Sequence, residues 1–153
     1  MKKLLVCVDF SDVTPAIIEC AIRLAKAFHE QVVLLHVAMQ EPDSAVLDNV
    51  SNMVREEWAE IFEEEHRQLL AIRDEMLQSD GKVTALIAHG DPASKIIESA
   101  SEIHADMILL GSHGHGFLAH IFLGSVAEHV LRKSTCPVVI VPVKHKQDDA
   151  QAE

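Results

Sequence analysis

Tyrosine is absent from this chain, tryptophan occurs once and phenylalanine five times among 153 residues. Yet 48% of the residues are hydrophobic, so the core must be built from Val, Ile, Leu and Ala, as in a parallel sheet covered by helices. No apolar run reaches the ~18 residues needed to cross a membrane as a helix. The opening Met1-Lys2-Lys3 precedes only a short apolar run cut by Asp9, so this start is not expected to be a signal peptide. Cysteine is scarce as well. Cys7, Cys20 and Cys136 are scattered through apolar runs with no CxxC pair, which argues against a disulfide framework and points to small core residues in a reducing, cytoplasmic setting.

Positive charge is also in short supply. Thirteen Lys and Arg stand against 24 Asp and Glu, a formal net charge of −11. That field repels nucleic acid phosphates and anionic lipid, so neither is expected as a partner. Any phosphate ligand must be held by a local device. Several catalytic signatures are missing too: there is no GxxxxGK(S/T), no GxSxG and no HExxH.

What is present is a regular alternation. Leu4–Val8, Val32–Val37, Val83–Ala88, Met107–Leu110 and Pro137–Pro142 read as short buried strands. Between them lie helical periodicities. The first is introduced by Thr14-Pro15, read as an N-cap followed by Pro, with Ala16, Ile17, Cys20, Ala21, Leu24 and Phe28 on its stripe. A long segment from about Ala45 to Gln78 carries an apolar stripe through Val54, Trp58, Ile61, Leu69, Ile72 and Met76. Its acidic residues, Glu56 to Glu65, read as a solvated face. Asp91-Pro92 starts a third helix and Ser125 a short fourth one. This β-α alternation predicts one α/β domain over residues 1–143, a five-stranded parallel sheet doubly wound with helices on both faces, and a polar tail over 144–153.

In such sheets ligands bind beyond the carboxyl ends of the strands. Strand one ends in Val8-Asp9-Phe10-Ser11. Strand four runs into a loop with Gly111, Gly114 and Gly124, and Ser125 opens a helix. Glycine allows close approach of main-chain amides, and a helix N-terminus supplies unpaired N–H donors and partial positive charge. This arrangement suits phosphate without Lys or Arg. A Ser125…Glu128 capping box accounts for Ser125 equally well.

The spacing Gly111-2x-Gly114-9x-Gly124-Ser125 resembles the nucleotide loop of the ATP-binding universal stress proteins. So do Val8-Asp9-x-Ser11, Leu35-His36-Val37, Gly90-Asp91-Pro92, Ala105-Asp106 and Cys136-Pro137-Val138, and the likeness extends from Lys3 to Val143. The resemblance implies strand order 3-2-1-4-5 and an adenine nucleotide, ATP or AMP, as ligand. It implies that Val8 and Val37 flank adenine, with Phe10 and Ser11 beside them, and that Asp9 meets the ribose or a nucleotide-bound Mg²⁺ or Mn²⁺. Amides around Gly111, Ser112, Gly114, Gly124, Ser125 and Val126 would hold the phosphates, next to His113. It further implies a homodimer through the uncharged edge strand 138–142, whose exposed edge needs a cover.

With no arginine finger or water-positioning group in the pattern, the nucleotide is expected to act as a bound signal in a stress response, with hydrolysis slow or absent. Two other classes stay open. Ten histidines, among them His36, His89, His113, His115, His120 and His129, raise a metal-binding protein. An interaction scaffold that binds no nucleotide is the second.

Overall fold

The computed structural model describes residues 2–28, 31–39, 51–78, 81–113 and 123–142. The chain order is β1 (Lys3–Val8), α1 (Thr14–Phe28), β2 (Gln31–Ala38), α2 (Asn52–Leu77), β3 (Val83–His89), α3 (Pro92–Glu102), β4 (Met107–Gly111), α4 (Ser125–Lys133) and β5 (Val138–Val141). All four strand pairs are parallel and the sheet order is β3-β2-β1-β4-β5, as expected. The chain winds from β1 out to β3, then crosses back to β4, so β1 and β4 lie side by side where the winding reverses. That juncture puts the end of β1 next to the loop that leaves β4.

The twofold side-chain period of a strand divides the core into two halves. Leu4, Val6 and Val8 face α1 and α2 with Val32, Leu34 and Leu109, while Leu5 and Cys7 face α3 and α4 with Val33, Leu35, Ile108 and Leu110. Ile17 and Ala21 anchor α1, Leu69 and Met76 anchor α2, Ile96 and Ala100 anchor α3, and Ala127 and Val130 anchor α4. Fully burying a side chain such as Leu69 contributes about 1.5–3 kcal/mol. Among the described residues no helix is long and apolar enough to cross a membrane.

Three local expectations are corrected. The long helix begins at Asn52, because the Ser51 hydroxyl accepts the Val54 amide and caps it there; 40–50 lie outside the described residues. Thr14 does not cap α1: the Val13 carbonyl accepts the first helical bond from Ile17, and the Thr14 hydroxyl is buried without a hydrogen-bond partner among the described residues. On α2 the inward line passes through Phe62 and Glu65, and Ile61 is exposed. Asp91 does cap α3 as expected, accepting from the Ser94 amide and hydroxyl, with Pro92 in the first turn. The 144–153 tail lies outside the described residues.

Candidate functional site

Beyond the carboxyl ends of β1, β2 and β4 the structure encloses a cavity of about 800 Å³. Of the residues singled out in the sequence, Val8, Asp9, Phe10, Val37, Gly111, Ser112, His113, Gly124, Ser125 and Val126 all line it. Ser11 does not. Its amide and hydroxyl both donate to Asp9 Oδ1, closing a turn directly after β1. Gly114, His115 and His120 lie outside the described residues.

The wall facing β4 is built by main-chain geometry. The Ser112 amide donates to the Val141 carbonyl at 2.8 Å, prolonging the pairing of β4 with β5, and the Gly124 amide donates to the Ser112 carbonyl at 2.7 Å. Both amides are engaged within the protein. Gly124 is itself the N-cap of α4 and, having no side chain, leaves the first turn uncapped. Ser125 is the first helical residue, and Glu128 turns to Arg132 instead of back toward the cap, so no capping box forms. Ser125, Val126 and Ala127 carry the N–H groups that a helix cannot pair internally, and all three line the cavity.

The glycines matter here for space more than for backbone freedom. Gly124 has φ −69°, open to any residue. A Cβ on it would lie 3.1 Å from the Ser112 carbonyl oxygen and 3.4 Å from His113 Cα. A Cβ on Gly111 would lie 2.9 Å from Val13 Cγ1.

No lysine or arginine among the described residues lines the cavity. Its apolar surface comes from Val8, Leu35, Val37, Ile96 and Leu110. Cys7 also contributes, and burial pushes its thiol far above the ordinary cysteine value, so it stays protonated. Among the described residues no group of three or more His, Cys, Asp or Glu is placed to hold a metal ion. His113 instead pairs its Nδ1 with the Ser112 hydroxyl at 3.0 Å, and His89 donates Nδ1–H to the Met39 carbonyl at 3.2 Å.

Glu65 and Gln68 of α2 also line the cavity, and the sequence reading missed them. Glu65 had been placed on a solvated acidic face. It stands three residues after Phe62 and four before Leu69, and this helical spacing puts it on the inward line. Its Oε1 lies 3.5 Å from His36 Nε2.

Comparison with known proteins agrees with this architecture. MJ0577 of Methanocaldococcus jannaschii, a universal stress protein, is 32% identical over 160 residues, covering 94% of this chain and 96% of the relative. Its solved structure superposes with a TM-score of 0.75 at 34% identity, over 95% of this chain and 98% of that one. Two more distant structures share the fold. One is the universal stress protein from Archaeoglobus fulgidus in complex with dAMP, at 20% identity and TM-score 0.67, over 92% of this chain and 97% of that one. The other is a universal stress protein in complex with cAMP, at 22% and 0.66, over 92% and 96%. The family model described as the universal stress protein family matches residues 1–142, and with this sheet order and this glycine-lined cavity the chain belongs to that family.

Proposed function

We propose that the cavity binds an adenine nucleotide, ATP or a related adenylate, as a signal in a stress response. The observation that carries this reading is the start of α4: Ser125, Val126 and Ala127, whose amides have no partner within the helix, line a cavity with no lysine or arginine among its described lining residues. An acidic protein that holds phosphate has to do so with main-chain donors and a helix dipole, which this wall offers. Val8 and Val37 supply an apolar surface fit for a base. Two proteins of the same fold carry adenine monophosphates, dAMP and cAMP, which supports the choice of base. The glycine spacing after β4 favours ATP.

Asp9 stands beside this wall, suited to a ribose hydroxyl or to Mg²⁺ or Mn²⁺ carried by the nucleotide. With no arginine on the described lining and Asp9 Oδ1 engaged by Ser11, the described residues offer no group that accelerates phosphoryl transfer, in keeping with hydrolysis that is slow or absent. Residues 1–143 act as one nucleotide-binding domain. The three free cysteines fit a reducing cytoplasm. β5 is an edge strand, and its uncharged run suits pairing of 138–142 across a twofold axis as a homodimer.

Isothermal titration of the protein with ATP, ADP, AMP and GTP tests the reading. Saturable binding of adenylates, weaker for GTP, is expected. Heat indistinguishable from dilution for every nucleotide would leave an interaction scaffold.

A further inference from the structure

His36 is the one histidine among the described residues that is buried, at 5% exposure, and from near the end of β2 it contributes to the cavity lining. Its Nδ1 lies 3.0 Å from the Val8 carbonyl oxygen. A carbonyl only accepts, so Nδ1 carries the hydrogen and donates it. The ring face meets Phe10, with centroids 4.3 Å apart. The remaining nitrogen, Nε2, has no hydrogen-bond partner among the described residues and lies 3.5 Å from Glu65 Oε1, an ion pair when the ring carries its second proton.

Phe10 has φ +59°, a left-handed backbone that a bulky side chain adopts only when its surroundings impose it. Val8 and Phe10 flank Asp9 in the chain. His36 therefore grips both neighbours of Asp9, one through its carbonyl and the other through its ring. Glu65 contacts the imidazole from α2, on the far side from that grip.

We propose that His36, backed by Glu65, is a positioning residue that fixes the Val8–Phe10 turn so that the Asp9 carboxylate is presented to the ligand. The proposal rests on the nucleotide reading above. It assigns to α2, the helix with the acidic outer face, a role in the site: the helix controls Asp9 without the ligand having to touch it.

A double-mutant cycle separates positioning from mere support of the fold. ATP titrations followed by NMR, which reach millimolar dissociation constants, are run on the parent, His36→Asn, Asp9→Asn and the double variant. His36→Asn should weaken ATP about tenfold in the parent background, the size of coupling usual for residues that act together, and less than about twofold when Asp9 is already Asn. Glu65→Gln should show a smaller loss that likewise disappears in the Asp9→Asn background. It carries the cycle if His36→Asn does not fold, as judged by circular dichroism. Equal losses in both backgrounds, or no loss in either, would overturn the positioning role while leaving the nucleotide site standing. A parent that binds no ATP would remove the nucleotide reading itself, and this proposal with it.

Discussion

The Gly124 amide donates to the Ser112 carbonyl at 2.7 Å, which seats the N-cap of α4 directly on the residue that follows β4. This contact leaves little room for a Cβ, since one on Gly124 would sit 3.1 Å from that same carbonyl oxygen, which would have to give way by a few tenths of an ångström. Gly124→Val should lever the start of α4 away from Ser112 and weaken ATP by at least about tenfold, with circular dichroism unchanged. Gly111→Ala, whose Cβ would meet Val13 Cγ1 at 2.9 Å, should lose about 1–3 kcal/mol of stability in urea unfolding. Full ATP affinity in Gly124→Val would mean that the wall is not where phosphate sits.

Asp91 caps α3 through the Ser94 hydroxyl and amide, and those bonds hold its carboxyl below the usual aspartate range. A carboxylate whose folded value is depressed contributes fully above its unfolded value, and the contribution disappears as pH falls through the folded one. Asp91→Ala should lower the thermal midpoint by roughly 2–4 °C at neutral pH. As pH falls below the ordinary aspartate range the gap between variant and parent should close. A gap that stays constant into acid would show that the ionised cap is not responsible.

Cys7 is buried in β1, and burial raises its thiol well above the ordinary value. Thiolate is the reactive form, so Cys7 should resist iodoacetamide at pH 8 in the native protein and react on unfolding. Cys20 and Cys136, both partly exposed, should be labelled first. Mass spectrometry of the labelled peptides checks the order. Rapid native labelling of Cys7 would mean that the cavity exposes it far more than the packing indicates.

The sheet was legible because its strands are uniformly apolar and its helices carry a clear period. Leu4–Val8 and Ile108–Leu110 are buried on both faces, and no alternation obscures them. The strand order came through resemblance, since periodicity does not rank strands across a sheet. Less legible were features that depend on where the main chain goes. Whether Ser125 caps a helix or opens it is decided by the docking of Gly124 on Ser112, a contact between residues 12 positions apart. α3 ends in a left-handed His104, with Ala105 donating to Ala100, and no glycine marks the stop. Glu65 was hidden by composition: one acidic residue among eight on α2 points inward, and only its spacing from Phe62 and Leu69 distinguishes it.

The central claim is that main-chain donors at the start of α4 take the place of basic side chains in holding a nucleotide's phosphates. A crystal structure of the protein grown with ATP tests it most directly. The phosphates should lie against the amides of Ser125 and Val126, with the base toward Val8 and Val37. ATP bound elsewhere on the molecule, or phosphates held by lysine or arginine side chains, would contradict it.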